Sequence, residues 1–248
     1  MSILSSLLYG FVSLLHPRML WLMLWPAAVA LAVWGTVAFA LWARTAAWLA
    51  GVLRQWLDAA SFLPAFDSGG APLVAAQVIL FLAFVPLVYL TALFILAIFG
   101  MRAMVEHVAR RSFPALERRR GGSAAGSGWN GFVALAGMLL LGTASLPLWL
   151  IPPLWPLIPV AILGWGNQRL LRYDALAEHA DGGEMRAIFR GQRGALYLLG
   201  ALLAVAAYVP VLGIFAPAWF SLAFIHYLLG VLDGRRNALG KKGPHEAA

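Results

Sequence analysis

The chain has no cysteine, so disulfides, thiolate metal sites and cysteine nucleophiles are all excluded. Charge is almost as scarce: only 11% of the 248 residues are Asp, Glu, Lys or Arg, and only ten are acidic. Residues 19–43 and 73–101 contain none of the four. A soluble domain carries about a quarter of its residues as charged side chains, so this composition excludes one. Each uncharged stretch exceeds the roughly 20 residues needed to span a hydrocarbon core. Both are read as transmembrane helices, and the first is too long for the apolar segment of a signal peptide.

Hydrophobic residues make up 62% of the chain. Eleven tryptophans, among them Trp42, Trp129 and Trp165 near the ends of apolar stretches, suit the belt at a lipid boundary. The net charge of +8 does not call for nucleic acid, because the basic residues lie in the connections. Of the eighteen, one precedes the first span, two lie between the spans, six at 102–120, five at 169–193 and four after residue 232. The positive-inside rule then puts both termini and the 102–120 and 169–193 segments in the cytoplasm.

An inexact repeat organises the C-terminal half. Pro152-Pro153-Leu154 and Pro159 return 58 residues later as Pro210-Val211-Leu212 and Pro217. The same offset carries Leu140-Leu141-Gly142 onto Leu198-Leu199-Gly200 and Leu170-Leu171 onto Leu228-Leu229. Proline removes a backbone donor and clashes with the preceding turn, so each copy reads as a helical hairpin, over 129–171 and 195–232. Arms of the second copy, about 195–209 and 218–232, are shorter than a full span at the helical rise of 1.5 Å per residue. Internal repeats of apolar hairpins are common in proteins that move solutes.

The fold class is therefore all-α integral membrane protein, with a single membrane domain over 1–236 and a cytoplasmic tail over 237–248. Trp48, Leu49, Val52, Leu53, Trp56 and Leu57 share a helical face, as expected for a helix that extends the first span or lies at the interface. Pro64 to Pro72 is read as a turn. Residues 101–113 continue the second span. Pro114 and the glycine-rich run 121–128 predict a flexible linker.

The order of features resembles the CysZ sulfate permease family, which includes the etoposide-induced membrane proteins. It is carried by a Pro-Arg start to a first span with Trp25-Pro26, a long second span running into a helix with Glu106, two proline-broken hairpins, and Tyr173-Asp174 followed by Glu184-Met185-Arg186 between them. The resemblance covers about residues 3–235. It implies an inner-membrane protein with two long helices and two hemi-penetrating hairpins, mediating sulfate uptake and forming homo-oligomers. The chain departs from the family pattern at His16-Pro17-Arg18-Met19, where members carry a Gly-Leu-Arg-Arg type sequence, and at Pro26-Ala27-Ala28-Val29-Ala30, which lacks an asparagine.

An anion pathway needs backbone donors or a planar guanidinium. Arg18, with His16 and Met19, is the candidate anion-binding set; its alternative role is a snorkelling anchor at the membrane boundary. Glu106, His226 and Tyr173 are candidates for a pathway or gate. For Glu106 the alternative is an ion pair with Arg110, and for His226 a single interhelical hydrogen bond. The spans and arms hold no carboxylate, which disfavours proton or sodium coupling and favours a channel-like or facilitated route. No metal-ligand spacing, nucleophile elbow or phosphate loop occurs, so no enzyme and no cofactor are expected. The expected function is uptake of sulfate or a related small oxyanion across the bacterial inner membrane. A non-transporting membrane scaffold of the same fold is the alternative.

Overall fold

The computed structural model describes residues 2–59 and 70–242. The turn expected at 64–72 lies mostly outside these residues, as does the end of the tail. Eight α-helices follow one another with no strand among the described residues: α1 (Ile3–Leu14), α2 (Pro17–Ala59), α3 (Ala71–Ser112), α4 (Ala124–Ala144), α5 (Leu157–Leu176), α6 (Gly182–Gly191), α7 (Arg193–Ala206) and α8 (Pro210–Lys242). Among the described residues four segments are long and apolar enough to cross a membrane: Pro17–Trp56, Ala71–Leu96, Ala124–Ala144 and Leu212–Leu239. This is a multi-pass, all-helical membrane protein.

The chain divides into two compact units, Trp21–Ile98 and Met1–Leu20 with Phe99–Ala248. The first unit holds most of α2 and α3. None of the most apolar stretch of α3 is buried in protein, so its side chains are left for lipid. Pro26 and Pro86 sit inside these helices, a position tolerated in membrane spans because freed carbonyls find local partners. One cross-helix bond, from Trp34 Nε1 to Thr91 Oγ1 at 2.8 Å, joins the pair. Arg44 and Arg54 ride on α2 without a break, so the amphipathic stretch after residue 44 is an extension of the first span.

The second unit is built on α8. Leu222, Phe224, Ile225, Leu228, Leu229 and Leu232 are fully buried, as are Leu196, Leu199 and Leu203 of α7. Lipid tails are as apolar as leucine, so close backbone approach and polar contacts must select the neighbours. Small residues supply that approach. A Cβ on Gly10 would lie 2.8 Å from the Ala223 nitrogen, and one on Gly164 would lie 3.1 Å from the Ala201 Cα. Contacts of α1 with α8 rise together along both helices: Trp219 Nε1 donates to the Leu7 carbonyl at 3.1 Å, and Ser13 Oγ meets His226 Nε2 at 2.9 Å. The two helices thus run in the same direction.

Both hairpins form. The first bends through two short 3-10 turns, Leu146–Leu150 and Pro152–Leu154. The second differs from the expected 195–209 and 218–232 arms: it bends at residues 207–209, and Pro217 lies inside α8. The reason is Pro210, which occupies the first position of α8, where a missing N–H costs nothing and the fixed φ starts the helix. The arm that follows is therefore 33 residues long rather than about fifteen.

The glycine-rich run is not a flexible linker. Ser123 caps α4, its side chain accepting from the Gly126 N–H, so the helix begins within the run. The N–H groups of Arg120, Gly121 and Gly122 donate to the carbonyls of Glu178, Ala180 and Ala177 at 3.1, 2.9 and 2.9 Å. A Cβ on Gly121 would lie 2.6 Å from the Asp181 Cα. Glycine is present here because one strand of backbone lies directly on another. Arg120 takes a positive φ of 44° just before it.

Candidate functional site

His16 ends the bend between α1 and α2. Its Nδ1 accepts the Arg18 N–H at 3.2 Å, while its carbonyl accepts the N–H groups of Met19 at 2.8 Å and Leu20 at 3.0 Å. Pro17 has no N–H to give. The donors of the first turn of α2 are therefore all engaged, and any anion at this helix start must be held by side chains.

The side chains present are basic. Arg18 is exposed and makes no ion pair among the described residues. The ring of His16 stands 4.7 Å from that of His107, near the end of α3. Burial pushes the His107 imidazole below its usual range, and the positive fields of His16, Arg111 and Arg18 add to that. Its Nε2 is buried without a partner. The charged groups that act on His107, at the start of α2 and the end of α3, are thus all basic. His107 and Arg111 were not singled out as anion ligands in the sequence, because 90 residues separate them from His16 and Arg18. Met19 is buried and offers packing rather than a polar contact.

Glu106 is one residue from His107 but faces elsewhere. It pairs with Arg110 on its own helix and with Arg118 at 3.7 Å across the following loop. The intrahelical pair expected from the four-residue spacing is present, and Arg118 adds a tertiary partner.

His226 is buried in the middle of the α8 core, bonded through Nε2 to Ser13, with the Tyr9 ring 5.9 Å away. Its Nδ1 has no partner. Tyr173, on α5, reaches the start of α4: its hydroxyl accepts the Ser123 N–H at 3.1 Å, and its ring fills the space beside Gly126. That contact holds the first hairpin together at its open end, where Ser127 Oγ also donates to Asp174 at 2.6 Å.

A second charged centre ties the unit together. Arg236 of α8 grips Glu184 of α6 through Nε at 2.9 Å and Nη2 at 2.8 Å, and donates to the carbonyls of His179 at 2.7 Å and Glu117 at 2.9 Å. Glu184 also takes Arg119 at 3.1 Å and the Asp181 N–H at 3.0 Å, closing a capping box with Asp181. The hydrogen bond from Arg236 outweighs partial burial and, with the Asp181 N–H and the field of Arg119, holds the Glu184 carboxyl down at about 2. Asp181 also lies 3.6 Å from Arg119, whereas the Glu178 side chain pairs with Arg102 at 3.5 Å. Among the described residues no group of three or more His, Asp or Glu is placed to hold a metal ion.

Residues 6–217 match the model of the sulfate transporter CysZ/etoposide-induced protein 2.4 family. The chain belongs to this family. Comparison with curated proteins and with solved structures gives no match. The CysZ match runs from α1 to Pro217, so both hairpin bends lie within it.

Proposed function

We propose that this CysZ-family protein gives sulfate, or another small oxyanion of similar shape and charge, a facilitated path across the bacterial inner membrane. Membership of a sulfate-transporter family is the observation that carries the reading. The basic group of Arg18, Arg111, His16 and His107 supports it. A guanidinium without an ion pair is available to a tetrahedral dianion, and an imidazole N–H beside it can donate a further hydrogen bond. Arg18 is the first contact, His16 fixes the backbone that presents it, and the buried Met19 anchors that turn. Glu106, His226 and Tyr173 act as positioning residues for the surrounding helices. Both termini and the arginine-rich connections face the cytoplasm, and the protein works as a homo-oligomer.

The occupied N–H groups at the start of α2 favour a second reading, a membrane scaffold without transport. Radiolabelled sulfate uptake into proteoliposomes separates the two. The transport reading expects saturable uptake that Arg18→Ala lowers at least tenfold, the scale of one lost charge-assisted contact. Uptake no greater than in protein-free vesicles, from folded and inserted protein, leaves the scaffold.

A further inference from the structure

The five basic residues between the hairpins, scattered in sequence over 169–193, converge in space. Arg169 and Arg172 on α5, Arg186 and Arg190 on α6 and Arg193 at the start of α7 line one cleft of about 550 Å³. None of the five forms an ion pair among the described residues, and no carboxylate lines the cleft. Arg172 lies over the Phe189 ring at 4.7 Å and donates to Gln168 at 3.1 Å, which fixes its plane. The Nε atoms of Arg169 and Arg172 are buried with no partner. Topology alone asks only that basic residues lie on one side of the membrane. It does not ask that they share a cavity, where their mutual repulsion is costly until an anion neutralises it.

The rest of the lining identifies the anion. Val133, Trp165 and Tyr197 form an apolar and aromatic wall. Beside it Phe132, Leu170 and Leu198 are exposed, and Val133 belongs to α4, a segment long and apolar enough to cross the bilayer. A ligand that fills this cleft meets guanidinium groups on one side and apolar surface on the other, and the volume exceeds that of a single tetrahedral ion. We propose that the cleft binds the phosphate headgroup of an anionic phospholipid, with its acyl chains along the exposed face of α4, α5 and α7. Basic pockets between membrane helices recognise such headgroups by the same chemistry. The proposal concerns a site distinct from Arg18 and does not rest on sulfate transport.

Native mass spectrometry of the full-length protein in neutral detergent, titrated with cardiolipin, phosphatidylcholine or inorganic phosphate, tests it. Cardiolipin is expected to bind at least tenfold more tightly than phosphatidylcholine. The variants R169Q/R172Q and R190Q/R193Q lose that preference, while R44Q/R54Q, which removes the same charge from exposed positions on α2, keeps it. Using two cleft variants, each checked for helical content by circular dichroism, keeps the result readable if one fails to fold. Equal binding of both lipids overturns the proposal. So does binding of inorganic phosphate that the cleft variants abolish while cardiolipin shows no advantage, since a free oxyanion is then the ligand.

Discussion

The two copies of the repeat share a design and differ in what surrounds them. Leu170 in the first copy is 41% exposed, while its counterpart Leu228 in the second is fully buried. Gly142 has nothing near the position of a Cβ, while Gly200, its counterpart, lies against the backbone of Gly164. Apart from Arg169, residues 129–171 and 195–232 hold no Asp, Glu, Lys or Arg, because lipid and protein interior ask for the same apolar side chains. What separates them is the company each keeps. The second copy has α1 laid along it and α5 packed beside it, and α8 becomes the centre of its unit. Position 184 is Glu where the first copy has Gly126, and position 236 is Arg where the first has Glu178. The ion pair that locks the second copy thus has no equivalent in the first.

The largest expected effect breaks the second copy at its closest approach. Gly200→Leu drives a side chain into the Gly164 backbone, and overpacking there costs about 3 kcal/mol or more. Thermal unfolding in detergent is expected to show a variant that is barely stable, while Gly142→Leu behaves as the parent does. Next comes the lock. Glu184→Gln leaves the half-buried Arg236 without a carboxylate partner and costs about 3 kcal/mol. The carboxyl has an ordinary value of 4.5 and is held to about 2 in the fold, a depressed pKa. Its contribution is therefore complete above about pH 4.5 and lost as pH falls toward 2. Unfolding followed from pH 6 to pH 3 is expected to show a steeper acid loss in the parent than in the variant.

Leu228→Ala leaves a cavity in the core and costs about 2 kcal/mol, against less than about 0.5 kcal/mol for Leu170→Ala. Equal losses in the two leucine variants would show that both copies are equally enclosed, as an oligomer covering the first hairpin would make them. Smallest is Ser13→Ala, which removes the bond to His226 and costs about 1 kcal/mol. A double-mutant cycle with His226→Ala isolates that contact from the packing around it.

Much of this fold was legible because lipid imposes simple rules on sequence. Uncharged length marked α2 and α3, and proline pairs marked the first bend. The second bend was misplaced because Pro217 and Pro210 look alike in a string, while only Pro210 stands at a helix start. The run 121–128 looked like a linker because glycine serves both free chain and close packing. Which of the two applies depends on the carbonyls of residues 177–180, far along the sequence. α1 and its contact with α8 were invisible for the same reason, and so was the meeting of Arg18 with His107 and Arg111. In the site, residue types were readable and partners were not.

Sulfate uptake into proteoliposomes, measured for the parent, Arg18→Ala and Arg111→Ala, tests the transport account most directly. The account predicts saturable uptake by the parent and a loss of at least tenfold on removing Arg18. A smaller loss is predicted on removing Arg111, whose field reaches the same cluster. Parent uptake equal to that of empty vesicles, or uptake indifferent to both arginines, would contradict it.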